Sequence, residues 1–151
     1  MSLLFPYRVG RSPRPVLTLG GRAGRPRPLL DVTLIGPTAS IVRSALLDTG
    51  ADDTIFPEAE AALLGLDLKA LPSQTAAGVG QAPHTVLCAQ ITLRLTDGRE
   101  FREWPAWVGF TSAALNHPLL GFAGFLQFFT ATFHGDREQV ELTVNPLYPG
   151  R

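Results

Sequence analysis

A chain of 151 residues, 45% hydrophobic and 17% charged, holds enough apolar material for one domain with a core and is too apolar for a disordered segment. Thirteen basic residues balance thirteen acidic ones, and a formal net charge of zero argues against a protein that holds nucleic acid by bulk charge. The single cysteine, Cys88, excludes an internal disulfide framework and fits a reducing compartment. His84, His117 and His134 are scattered, with no cysteine partners at zinc spacing, and no apolar run approaches the ~20 residues of a membrane span. No secretory signal is evident. The expectation is a cytoplasmic protein without metal or other cofactor, and with neither nucleic acid nor membrane as partner. Fifteen glycines, thirteen prolines and few helix-period patterns favour a loop-rich, mostly β fold.

Residues 1–28 read as a basic, proline-rich arm ahead of a domain over residues 29–151. Arg8, Arg11, Arg14, Arg22, Arg25 and Arg27 meet no acid before Asp31, and prolines at 6, 13, 15, 26 and 28 exclude a regular helix. Leu3-Leu4-Phe5 and Val16-Leu17-Thr18-Leu19 are candidate edge strands; the arm as a whole is expected to be solvated or to wrap its own domain. From Leu29 the pattern is β. Leu30, Val32 and Leu34 alternate with Asp31 and Thr33, and Gly36-Pro37 supplies a turn. Ile41 to Leu47 reads as the returning strand, and it ends on Asp48.

That ending is unusual, because burying an unpaired carboxylate costs several kcal/mol or raises its pKa. Asp48-Thr49-Gly50-Ala51-Asp52-Asp53 admits three readings. An Asx-type turn is good local chemistry for Asp-Thr-Gly. A calcium loop fails on spacing: counted from Asp48, the third position is Gly50, the sixth is Asp53 instead of glycine and the twelfth is Ala59 instead of glutamate. The third reading is half of a catalytic carboxylate dyad.

Beyond the acidic loop, Pro57 opens a short helix to Leu64, with Glu58 and Glu60 at its positive end and Gly65 as its C-terminal cap. Residues 72–90 read as a hairpin whose tip carries Gly78-Val79-Gly80. A phosphate cradle fails there, since no third glycine follows and no strand-to-helix context exists. Ile91 to Leu95 alternates, Asp97-Gly98 is a hairpin signal, and Phe101 to Phe110 is the next strand. Its Trp104 and Trp107 suit core or dimer packing better than a ligand cage. His117-Pro118-Leu119-Leu120-Gly121-Phe122 follows, then a hairpin from Phe128 to Val144 turning at Gly135-Asp136.

Ala45-Leu46-Leu47-Asp48-Thr49-Gly50-Ala51-Asp52-Asp53-Thr54 resembles the active-site segment of the retropepsins, the retroviral-type aspartic proteases. The glycine-rich hairpin and Leu119-Leu120-Gly121 follow in that family's order, and the likeness covers roughly residues 29–133. The resemblance implies a mostly β half-barrel with a flap hairpin and one or two short helices, one of them after Gly121. It implies Asp48, Thr49 and Gly50 as catalytic loop, and Ala51, Asp52, Asp53 with Gly78, Val79 and Gly80 as substrate contacts. Leu119, Leu120 and Gly121 would pack behind the loop. Phe122 departs from the polar or basic residue usual in retroviral members.

Peptide hydrolysis by this route needs two carboxylates close enough to share one proton. The chain holds one Asp-Thr-Gly, so a complete dyad requires Asp48 of a second copy, and the expected enzyme is a homodimeric aspartic endopeptidase acting on peptide or protein substrates. The alternative is a non-catalytic dimer of the same fold that binds peptides or a protein partner.

Overall fold

Alternating apolar and polar residues lay out the strands, and glycine and aspartate turns join them. The structure, a computed structural model, describes residues 1–76 and 82–151. The chain opens with strand β1 (Leu3–Pro6) and a ribbon of β2 (Arg8–Val16) and β3 (Arg22–Arg27). Next come β4 (Leu29–Ile35), β5 (Ser40–Leu47), β6 (Ile55–Pro57) and helix α1 (Glu58–Leu63). Strands β7 (Ser73–Ala76), β8 (His84–Thr96) and β9 (Phe101–Thr111) precede the two-residue β10 (Leu119–Leu120). A final hairpin joins β11 (Phe129–His134) to β12 (Gln139–Val144).

The largest sheet runs in the order β4-β5-β10-β6-β9-β8-β7, and β4 also pairs with β8, so the sheet rolls up and closes on itself. Inside lie Leu30, Val32 and Leu34 of β4, Ile91, Leu93 and Leu95 of β8, and Trp104, Ala106, Val108 and Phe110 of β9. These are the period-two positions of each strand, as the sequence alternation requires. The mostly β class expected from the sequence is the one found.

A second sheet, β1-β12-β11, closes one end. Leu3 of β1 is fully buried, as are Val140 and Leu142 of β12, so Leu3-Leu4-Phe5 of the basic arm contributes an edge strand to the core. Val16 to Leu19 behaves differently from the expected strand. Only Val16 is extended, and Leu17–Leu19 forms a 3-10 turn closed by Gly20 and Gly21, both at positive φ. Two consecutive glycines supply the left-handed backbone that reverses the chain there.

An aromatic group joins the two sheets. Trp104 stacks edge-on against Phe125 and Phe129 at centroid distances of 5.4 and 5.2 Å, and Tyr148 packs on Trp104 at 5.9 Å. The Trp104 indole N–H donates to the Gly124 carbonyl (3.0 Å). Trp107, three residues further along β9 and so on its opposite face, is 57% exposed and lies outside the core. The helix implied after Gly121 is replaced by a single 3-10 turn, Leu126–Phe128. Gly124 at φ +88° and Phe125 at φ −134° break any helical path, and Trp104 takes the Gly124 carbonyl that a helix would use.

Asp97, in the β8–β9 turn, fastens β1 to the barrel. Its nearly enclosed carboxylate accepts from the N–H groups of Leu4 (3.0 Å), Arg99 (2.9 Å) and Glu100 (2.9 Å), with Arg99 Nη2 at 3.2 Å. Burial pushes its pKa up, but these donors outweigh burial and hold it well below the usual carboxylate range. A group whose folded pKa is depressed stabilises the fold above its unfolded pKa and loses that contribution as pH falls through the folded value. Asp97→Ala should therefore lower unfolding free energy by about 1–3 kcal/mol at neutral pH. In urea titrations the gap between wild type and variant should persist down to about pH 4 and narrow below it; a gap that widens in acid would refute the assignment.

Candidate active site

Strand β5 delivers Asp48 to the surface of the barrel. Ala45 and Leu47 are buried on its inner face, and β10 lies parallel beside it with Leu119 opposite Leu46 and Leu120 opposite Leu47. The chain leaves the strand abruptly after Leu47, and residues 118–123 satisfy most of the backbone groups this exposes. Leu46 N–H donates to the Pro118 carbonyl (2.8 Å), and Asp48 N–H donates to that of Leu120 (3.0 Å). Phe122 N–H donates to the Ala51 carbonyl (3.0 Å), Ala123 N–H to that of Asp52 (2.9 Å), and Thr54 N–H to that of Ala123 (3.1 Å). The segment 119–123 therefore lies against the whole loop from Asp48 to Thr54.

Within the loop, Gly50 N–H donates to Asp48 Oδ1 (2.9 Å) and Ala51 N–H to the Asp48 carbonyl (3.2 Å). The Asx turn read from the sequence is thus present, and it orients the carboxylate. Asp48 is half-buried; Thr49 and Gly50 are exposed. Asp48 and Thr49 line an open, mainly apolar cavity of about 270 Å³ with Pro28, Leu46, Leu47 and Phe133. A carboxylate with one oxygen fixed by a backbone N–H and an open cavity in front of it can act as acid or base on a molecule placed there.

Asp53 lies farther along. Its Oδ2 accepts from Gln74 Nε2 of β7 (3.2 Å), which ties the loop to the hairpin. Burial pushes the Cys88 thiol pKa up, and the nearby Asp53 charge adds to the rise, which disfavours the thiolate form. Asp52 is exposed. Gly78, Val79 and Gly80, expected as flap contacts, lie outside the described residues. Among the described residues no group of acidic, histidine or cysteine side chains could hold a metal ion, and no helix is long and apolar enough to cross a membrane.

Three participants were not singled out from sequence. Gln74 has no local signal, because its partner is twenty-one residues away. Pro28 reaches the cavity because its carbonyl accepts from Leu47 N–H (2.9 Å). Phe133 did leave a trace: Phe129, Ala131 and Phe133 share one face of β11, and that apolar alternation runs one step past the buried core to the cavity.

Comparison with known proteins bears on the same residues. A family model described as aspartyl protease matches residues 32–123, which span the loop, the hairpin and Leu119-Leu120-Gly121. A crystal structure of a retropepsin-like aspartic protease from Rickettsia conorii is similar in fold, with a TM-score of 0.55 and 17% identity over 94% of this chain and 90% of that one. No curated sequence matches.

Gly121 is the tightest point of the support. A Cβ there would fall on the Asp53 carbonyl and 2.7 Å from that of Ala51. Gly121→Ala should cost about 1–3 kcal/mol of stability by prising the loop from its backing. Phe122→Ala, at a side chain 61% exposed, should change stability by less than about 0.5 kcal/mol. Equal effects of the two in thermal unfolding would refute the packing account.

Proposed function

The chain belongs to the aspartyl protease family, and we propose that it is an endopeptidase that cleaves peptide bonds with a water held between the Asp48 carboxylates of two copies of the chain. The observation that carries this is Asp48 itself. It ends an apolar strand, one oxygen is oriented by Gly50 N–H, and it faces an open cavity. The sequence offers no second Asp-Thr-Gly, so the partner carboxylate comes from a second copy.

Two carboxyl groups a few ångström apart share one proton, since both cannot ionise at that separation. The ionised Asp48 takes a proton from water, whose oxygen attacks the carbonyl carbon, while the protonated Asp48 gives its proton to the carbonyl oxygen. The tetrahedral intermediate then collapses. The C–N bond breaks, the nitrogen takes a proton from the first carboxyl, and a hydroxyl proton returns to the second. One acid and one amine leave, and the dyad again holds one proton. In this reading Thr49 braces the two loops across the axis, while Ala51, Asp52 and Asp53 meet the extended substrate from below. Gln74 holds Asp53 for that contact. Gly78, Val79 and Gly80 are the remaining substrate contacts of this reading.

Strand β11 is the surface we assign to the second copy. Among the described strands it pairs only with β12, and from Phe129 to Phe133 it carries no charge to discourage pairing along its free edge. Phe133, at that edge, shares the cavity with Asp48 and Thr49. Association along β11 would bring the two acidic loops towards one axis.

Cleavage of a diverse peptide library between about pH 3 and 8, with molar mass measured on the same samples, tests the reading. A dimer with acid-favoured cleavage that Asp48→Asn abolishes, without loss of dimer, is the expected result. Activity in that variant, or a dimer that cleaves nothing at any pH, would sink the proposal. Separately, Phe133→Asp should weaken association by about 2 kcal/mol or more and lower cleavage in parallel; an unaltered dimer would remove β11 from the interface.

A further inference from the structure

The β2–β3 ribbon takes no part in the site, yet it holds the strongest concentration of charge in the chain. Its residues 8–27 include six arginines and no acid. The rest of the chain has seven basic residues against thirteen acids, an excess of six negative charges that the ribbon alone cancels. Two of the six arginines tether it to the body. Arg8 donates to Asp31 (2.8 Å) and Ser44 (2.9 Å), and Arg22 pairs with Glu138. Arg11, Arg14, Arg25 and Arg27 have no carboxylate partner among the described residues.

Pairing places Arg8 opposite Arg27 and Gly10 opposite Arg25, so Arg8, Arg25 and Arg27 share one face. Like charges set across a ribbon oppose its formation unless an anion joins them. Two concavities run along it, one of about 570 Å³ holding Arg11 and Arg14, the other of about 370 Å³ holding Arg25, Arg27 and Leu19. At the turn the charge gives way to apolar surface. Leu17 is 86% exposed and Leu19 41% exposed, carried on the 3-10 turn that Gly20 and Gly21 close.

We propose that this ribbon docks the protein on an anionic lipid bilayer, with Leu17 and Leu19 entering the headgroup region and Arg25 and Arg27, which share one face of the ribbon and a concavity with Leu19, binding the lipid phosphates and carboxylates. An apolar tip backed by cations combines the two weak signals that hold a protein at a charged interface without a spanning segment. Duplex or single-stranded nucleic acid fits less well. Residues 8–27 contain no aromatic side chain to stack on bases and no asparagine or glutamine to read their edges, and two exposed leucines gain nothing against a phosphate backbone. An acidic polypeptide adding as a strand is opposed by Pro13, Pro15 and Pro26, which lack the N–H groups such pairing uses. Because the chain is neutral overall, an anionic surface exerts no net long-range pull on it. It turns the ribbon inward and the acidic body outward. Docking of this kind needs no spanning run, the feature whose absence led to the expectation of no membrane partner.

Vesicle co-sedimentation of the full chain tests this without reference to peptide cleavage. Phosphatidylcholine vesicles with phosphatidylserine should bind the protein, and phosphatidylcholine alone should not. Arg25→Gln and Arg27→Gln should each weaken binding about fivefold, Arg11→Gln on the opposite face should weaken it less, and added salt should weaken it further. Leu17→Ser with Leu19→Ser alters exposed positions and no charge, and it should weaken binding about tenfold or more. Equal binding to neutral and anionic vesicles, or full binding by the leucine variant, would overturn the proposal. So would tighter binding to duplex DNA than to anionic vesicles at the same salt, which would make nucleic acid the partner.

Discussion

A strand that ends on a carboxylate can hold its shape only if the backbone groups around that end are satisfied. In this protein most of the work falls to five residues about seventy positions away. Leu119 to Ala123 enters the barrel as a two-residue strand between β5 and β6, then runs against the backbone of the Asp48–Thr54 loop. A buried amide without a partner costs about 1–3 kcal/mol, so several of them could not be left open in a domain of ordinary stability. The acidic loop and the Leu-Leu-Gly segment are consequently one structural unit, and Gly121 marks where they come closest.

The same unit is anchored from behind. Gly124 reverses the chain at positive φ and gives its carbonyl to Trp104, whose ring sits against Phe125, Phe129 and Tyr148. Gly109 N–H donates to the Thr54 carbonyl (2.8 Å), fixing the far end of the loop to β9. Packed aromatic side chains have few alternative arrangements, so the loop's support is rigid while its acidic face stays open. Stiff backing and an exposed carboxylate are what a site needs to present a group in one orientation.

Much of this was legible in the sequence because it depends on local rules. The alternation of Leu30, Val32 and Leu34 and the Asp97-Gly98 turn each specify their own structure, and so do the helix after Pro57 and its stop at Gly65. Asp48 was legible because a charge at the end of an apolar run is locally anomalous. What could not be read depends on distant partners. The missing helix after Gly121 is decided by Trp104 capturing a carbonyl, and Gln74 is placed by an acid on another element. Leu17 to Leu19 looked like strand on composition, but the two glycines that follow reverse the chain before an extended segment can form.

The basic N-terminal residues divide for the same reason. Leu3 and Phe5 have an alternating pattern with a buried face available beside β12, and the Asp97 carboxylate meets the Leu4 amide, so β1 joins the core. Residues 8–27 have no such face: the arginines and prolines of the ribbon leave little to bury beyond Val16 and Gly24. It is held at its root by Arg8 to the exposed Asp31 and near its turn by Arg22 to the half-buried Glu138. Exposed ion pairs contribute at most about 1 kcal/mol each and weaken with salt. The barrel therefore does not depend on the ribbon, and the ribbon's charge and apolar tip can change without disturbing the loop that carries Asp48.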